Sequence, residues 1–211
     1  MWRRRAGAVA RRFCSASGTS HSGCVVQTLQ LGGPPLQLQL GGAIPGDSLA
    51  VKFARWTPPV AAGAAPAPTI LICPSMSNNV YATDGPASGA AGAGAEGGGT
   101  ERGWWREVVG YGEAYGVDLG AFDVICAAPL GSPHAALSPL SRRSGTATNT
   151  TDGADGGGGG GGGGDGRRWG PDFPQITPFD QAALLLRLLD HPSVGVPELH
   201  AIVGGSMGGM T

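Results

Sequence analysis

Residues 199 to 211, LHAIVGGSMGGMT, hold the spacing in this chain most suited to chemistry. Gly204, Ser206 and Gly208 satisfy G-x-S-x-G directly after the apolar run Leu199 to Val203. In that context a serine occupies a sharp strand-to-helix turn. The flanking glycines remove side chains that would collide, and Oγ is left projecting at the carboxyl edge of a sheet, where ligand sites of such folds gather. The N–H of the next residue, Met207, is then placed to donate to a developing oxyanion, and one such donor is worth about 10²- to 10³-fold in rate. The chemistry would be acyl transfer through a serine nucleophile. By itself the pattern fits a flexible glycine loop equally well, because 40 of the 211 residues are glycine.

The elements that must position Ser206 are visible as changes of hydrophobic period. VVQTLQL (25–31), LQLQL (36–40) and SLAVKFARW (48–56) alternate apolar with polar residues, which predicts an antiparallel meander of half-buried strands. TILIC (69–73), FDVICAAP (122–129) and LHAIV (199–203) are continuous apolar runs, the signature of parallel strands covered on both faces. Between them, ITPFDQAALLLRLLDHP predicts a helix with Thr177 as N-cap, Pro178 at the first helical position and Asp180 closing a capping box. Its Ala182, Leu185, Leu186 and Leu189 would share one apolar face, and Pro192 would stop it. A second, weaker helix is expected in WWREVVGYGEAYG, interrupted by Gly110 and Gly112. Strand, helix and strand with parallel pairing place the chain in the α/β class. Two glycine-rich stretches, 84–101 and 132–168, read as disordered insertions in surface loops.

Charge excludes some partners. Charged residues are 14 % of the chain and the net charge is -1, so there is no basic footprint for nucleic acid or for an anionic membrane. No apolar stretch is long enough to cross a bilayer. Cys14, Cys24, Cys73 and Cys126 share no metal or redox spacing, and Cys73 and Cys126 fall in apolar runs where cysteine behaves as a small hydrophobe. Neither a disulfide framework nor a metal site is expected. The first twelve residues carry five of the 14 basic residues, and no acidic residue precedes Asp47. Residues 1–24 therefore read as an organellar transit peptide, mitochondrial in the first instance with chloroplast or cytoplasm as the alternative locations and a disordered basic tail as the plainer reading, and 25–211 as the folded domain.

Three blocks carry a resemblance to a known family. VGGSMGGM (203–210) resembles the nucleophile elbow of the homoserine O-acetyltransferase family, typically G-G-S-M-G-G-M-Q, with Thr211 departing from it. GWWREVVGYGEAYGVDLGAFDVICAAPLGSP (103–133) is similar to the family's G-W-W-x-x-x-x-G-x-G segment and the strand that follows it. GPDFPQITPFD (170–180) is similar to its G-x-x-F-P-x-I-T-x-x-D. The resemblance implies an α/β-hydrolase fold in which Ser206 is the nucleophile and Met207 one backbone oxyanion donor. A second donor would come from PSMSNN (74–79), where the family has A-L-T-G and Met76 holds the donor position. Asp180 matches a family aspartate, but its capping role already accounts for it. The implied reaction is ping-pong: an acyl group passes from acetyl-CoA to Ser206, then to the hydroxyl of homoserine or serine, in methionine or cysteine biosynthesis. Acyl-CoA is a substrate there and no resident cofactor is implied; the full-length family suggests a homodimer.

Such a serine needs a histidine base and a carboxylate, which in this fold follow it in the order Ser, Asp, His. His21, His134, His191 and His200 all precede Ser206. His191 ends the helix, His200 lies in the strand before the turn and the other two lie in loops, so each suits a solvated or structurally satisfied role. The expectation is that these residues form the N-terminal part of a longer enzyme and are poorly stable and inactive alone. The alternatives are an esterase or thioesterase of the same fold, with water as acceptor, and an inactive fragment with a scaffolding role.

Overall fold

The computed structural model describes residues 23–59, 63–84, 102–142 and 167–211. Most of the expected transit peptide, with Cys14 and His21, lies outside the described residues, as do 85–101 and 143–166 of the expected insertions.

β1 (Cys24–Gln30) pairs antiparallel with β4 (Ala50–Trp56) in the register Cys24↔Trp56 to Gln30↔Ala50. The alternation at 36–40 does bury Leu36 and Leu38, but only β2 (Leu36–Gln37) is extended, and it pairs with β3 (Ala43–Ile44) in a separate two-stranded ribbon. The expected meander is therefore two strands with a hairpin excursion between them. Gly32 and Gly33, with φ of 60° and 77°, turn the chain out of the sheet where other residues would be strained. The bond from Leu31 N–H to the Leu49 carbonyl (2.8 Å) closes the excursion at its base.

β5 (Thr69–Cys73) and β8 (Asp123–Ala127) are buried at every residue and pair in parallel, as continuous apolar runs require. The main sheet has the order β1-β4-β8-β5-β9, with β9 (Leu199–Gly204) parallel to β5. One face packs Leu71, Cys73 and Ile125 against Phe53 and Leu188, and the other packs Ile70, Ile72, Val124 and Cys126 against Trp56 and Val109. Each such Leu or Ile contributes about 1.5–3 kcal/mol on burial, which makes β5 and β8 the rigid centre. β9, unlike β5 and β8, is not buried on both faces: its residues alternate between half-buried and exposed, with Ile202 62 % exposed, because among the described residues nothing packs over the face that Ile202 presents and β5 is its one strand partner. At the opposite end of the strands Arg55 pairs with Asp123, Nε to Oδ1 at 2.9 Å and Nη2 to Oδ2 at 2.6 Å, and its Nη1 donates to the Val194 carbonyl. Thr69 Oγ1 donates to the same carboxylate, so β4, β5, β8 and the approach to β9 are tied at one knot.

No helix forms in WWREVVGYGEAYG. Turns carry the chain into β6 (Val109–Gly110), which pairs with β7 (Val117–Asp118), and Gly112 sits at φ 102°. A side chain at Gly110 would strike the Tyr115 ring, and Asp118 Oδ1 accepts from both Gly112 N–H and Gly120 N–H at 2.8 Å. Those bonds hold the Asp118 carboxyl below its usual range and replace the helical ladder.

The helix read at 177–191 is present as α1 (Pro178–Asp190). Thr177 Oγ1 accepts from Asp180 N–H and Asp180 Oδ2 accepts from Thr177 N–H at 2.8 Å, a complete capping box. Its buried face is Gln181, Leu184, Leu188 and Leu189, whereas Leu186 is 56 % exposed. The apolar stripe is thus displaced from the one expected, because it starts on a glutamine. The expected insertion at 132–168 also gives way at its ends: Leu137 is in the core, and Gly131 N–H donates to the Leu137 carbonyl. Arg142 bridges to Arg168, and Trp169 N–H donates to the Ser141 carbonyl at 3.0 Å. In the same way Gly103 N–H donates to Asp84 Oδ1 at 2.9 Å, so the described residues flanking 85–101, like those flanking 143–166, are joined to each other.

Candidate active site

β9 delivers the chain to Gly205, extended at φ -116° and ψ 139°, and a 3-10 turn then runs over Ser206–Met210. Ser206 opens that turn at φ 55°, the only non-glycine residue with positive φ among those described. An L-residue held there costs about 1–2 kcal/mol, and such strain persists only where the surroundings dictate it. Here they do. A Cβ at Gly204 would fall onto the Gly208 carbonyl, and one at Gly208 would fall onto the Cys73 carbonyl and within 2.8 Å of the Pro74 carbonyl oxygen. The turn is wrapped so tightly over the end of β5 that Gly204 and Gly208 admit no side chain. Gly205, by contrast, has nothing within 4 Å of such a position. The two glycines that the G-x-S-x-G pattern names are the two that packing demands.

The turn is fastened to β5 by Gly205 N–H, which donates to the Cys73 carbonyl at 3.3 Å. Gly208 N–H reaches back to the Gly205 carbonyl at 3.0 Å, and Met207, one residue earlier, stands ahead of that ladder. The first N–H groups of a helical turn lack internal acceptors, which leaves the Met207 N–H available at the open end. Ser206 is exposed and Met207 half-buried. Met76 follows β5 by three residues, in a turn closed by Asn78 N–H donating to the Ser75 carbonyl at 3.1 Å. As second residue of that turn, Met76 keeps its N–H out of the closing bond. Gly208 packs on Cys73 and Pro74, so the Met76 loop and the Ser206 turn leave neighbouring parallel strands at the same edge.

None of the described histidines makes a hydrogen bond to Ser206. His200 is six residues before Ser206 on β9, about 20 Å along an extended strand, and its ring lies tilted over Phe122 at 5.4 Å. His191 caps α1, its Nδ1 accepting from Ser193 N–H at 3.2 Å, and His134 is exposed in the loop after β8. Asp180 is occupied in the capping box and accepts from Gln39 N–H at 2.9 Å. Burial pushes its carboxyl up, but the bonds from Thr177 and Gln39 outweigh burial and hold it below the usual carboxylate range. Cys73 and Cys126 are buried free thiols; burial raises Cys73 to about 11 and Cys126 further, so neither is a ready nucleophile. Cys24, half-buried, is likewise pushed up to about 11 by burial. Among the described residues no His, Cys, Asp and Glu cluster could hold a metal ion, and no helix is long and apolar enough to cross a membrane.

One polar residue of this region was not singled out by its sequence pattern. Gln181 is 4 % exposed, and its carboxamide pairs with both backbone groups of Leu130, Leu130 N–H to Oε1 at 2.9 Å and Nε2 to the carbonyl at 2.8 Å. The available signal was a polar residue in line with Leu184, Leu185 and Leu188 at helical spacing.

No protein-family model matches the chain. It is similar to a homoserine O-acetyltransferase of Haloferax volcanii, with 35 % identity over 143 residues, 67 % of this chain and 27 % of that protein. The chain thus spans about a quarter of the length of that relative. In structure it is similar to esterase E22, with a TM-score of 0.61 and 22 % identity over 89 % of this chain and 42 % of that one. A homoserine O-acetyltransferase from Bacillus anthracis superposes with a TM-score of 0.60 and 22 % identity, over 89 % of this chain and 41 % of the other. The fold is that of the α/β-hydrolases, and the chain is homologous in sequence to proteins named homoserine O-acetyltransferase over two thirds of its length.

Proposed function

We propose, from the homology of this chain to the homoserine O-acetyltransferases, that it carries the nucleophile-bearing part of an amino-acid O-acyltransferase. Ser206 Oγ attacks the carbonyl carbon of an acyl thioester such as acetyl-CoA. The carbon–sulfur bond breaks, the thiol leaves with a proton, and an acyl-Ser206 ester remains. The hydroxyl of homoserine or serine then attacks that ester, its proton passes to Ser206 Oγ, and the O-acyl amino acid departs. The oxyanion formed in each step would be met by the N–H groups of Met207 and Met76. The observation that carries this reading is Ser206 at φ 55°, between a parallel strand and a tight turn, with packing that excludes side chains at Gly204 and Gly208.

None of the described histidines hydrogen-bonds Ser206, so in this reading the base and its orienting carboxylate come from sequence outside these residues. Acyl-CoA enters as substrate, with no resident cofactor in the scheme. The basic, acid-free stretch 1–24 is read as an organellar leader, mitochondrial first, a point that imaging of a fluorescent fusion would decide.

The full-length protein incubated with acetyl-CoA and either homoserine or serine should release free thiol and the O-acetyl amino acid, and mass spectrometry should find the acetyl group on Ser206. The Ser206→Ala variant should lose both signals, and full activity in that variant would refute the mechanism. Without an acceptor amino acid the acyltransferase should release one equivalent of thiol per Ser206 and stop, whereas continued release over many turnovers would instead mark a thioesterase, because water can replace the acceptor with no change at the turn.

A further inference from the structure

Gln181 carries a further role, which rests on the reading of Ser206 as nucleophile. After β8 the chain turns through Pro129–Ser132, closed by Ser132 N–H donating to the Pro129 carbonyl at 3.0 Å, with Gly131 at φ 84°. That is the pattern of a type II turn, in which the N–H and carbonyl of the second residue, here Leu130, both point away from the closing bond. Leu130 is 1 % exposed, so both groups would be buried without partners. A carboxamide offers one donor and one acceptor in a plane, as a peptide unit does, and Gln181 supplies both.

The turn so held is adjacent to the nucleophile. Pro129 and Gln181 line one shallow cleft together with Met207 and Gly208 of the Ser206 turn and with Cys73 and Pro74, on which that turn is wrapped. Asp180, the preceding residue, fixes the same end of α1 to Gln39. We infer that Gln181 is a positioning residue for acyl transfer: by clamping Leu130 it holds the exit of β8 against the Ser206 turn and so keeps the Met207 N–H in register with the reacting carbonyl.

The test uses the full-length protein, with p-nitrophenyl acetate as acyl donor, rapid-mixing measurement of Ser206 acylation and hydrogen exchange at the Leu130 amide. In Gln181→Met, which keeps the length and loses both hydrogen bonds, Leu130 should exchange faster. The acylation rate constant should fall about tenfold to a hundredfold, the scale of an ångström of misplacement, with half-saturation by the ester unchanged. An unchanged acylation rate with a deprotected Leu130 amide, or an amide that stays protected, would overturn the inference. Gln181→Glu serves if the methionine variant does not fold. Its ionised carboxylate can accept from Leu130 N–H but faces the carbonyl without a proton, and protonation restores the donor. Its acylation rate relative to the parent should therefore climb as pH is lowered, and a ratio flat in pH would count against the clamp. A parent protein that forms no acyl-Ser206 would defeat the nucleophile reading itself, and is seen before any variant is compared.

Discussion

Consider adding one methyl group at Gly208 and, separately, at Gly205. The new Cβ at position 208 would be driven into the Cys73 carbonyl, with the Pro74 carbonyl oxygen at 2.8 Å behind it. To reach ordinary contact, the turn and the end of β5 must separate by roughly an ångström or more. Overpacking ordinarily costs about 1–3 kcal/mol where side chains can yield. Here both obstacles are backbone, and the ladder from Cys73 to Gly204 and Gly205 resists the separation. The loss for Gly208→Ala should thus be about 3 kcal/mol, or about 6–12 °C in Tm for a domain of this size. Gly205 has an extended backbone and open space, so Gly205→Ala should be neutral or stabilise by up to about 1 kcal/mol through the unfolded chain. Thermal and urea unfolding of the parent and both variants measure the contrast. Equal Tm values for parent and Gly208→Ala, or an equal fall in both variants, would refute the claim that packing dictates the glycines of the pattern.

Ser206→Gly should raise stability by about 1 kcal/mol by releasing a side chain from φ 55°, while abolishing acylation, and a variant less stable than the parent would contradict the strain. The Asp180 carboxyl lies below its unfolded value, so its contribution is full above the ordinary carboxylate range and is lost as pH falls through the lowered folded value. Asp180→Asn should flatten that acid limb of the stability curve, which urea titrations between pH 2 and pH 6 would detect. Asp123→Asn should cost about 3 kcal/mol because it leaves the Arg55 guanidinium half of a mostly buried pair without its carboxylate. If a double variant with Arg55→Met is no more stable than Asp123→Asn alone, the pair is not coupled as drawn.

Much of this arrangement is legible in the residues themselves. The apolar runs at β5 and β8 and the capping box of α1 are local signals, and they read correctly because burial on both faces and N-terminal capping are decided within a few residues. Pairing partners are not local. Whether LQLQL joins the main sheet depends on the glycines at 32 and 33, whose positive φ redirects the chain, and on β4 reaching β1 first. The stripe of α1 is displaced for a related reason: Gln181 is polar by type but buried by its two bonds to Leu130, a partner 51 residues away. At the turn, the spacing of Gly204, Ser206 and Gly208 points to the geometry, but the identity of the obstacle, the Cys73 and Pro74 backbone, appears only once β5 is laid beside β9.

The two joints at which the chain departs and returns have a bearing on how this scaffold tolerates change. Asp84 meets Gly103, and Arg142 meets Arg168 with Trp169 fastened to Ser141, so the described residues on the two sides of 85–101 and of 143–166 are held directly to one another. Once two ends are pinned, doubling the span between them costs only about 0.6 kcal/mol. In chain order one joint opens after β5 and the other after β8. Each joint is accordingly a place at which a tag, a reporter or a foreign domain could be grafted while the residues on its two sides stay joined to one another.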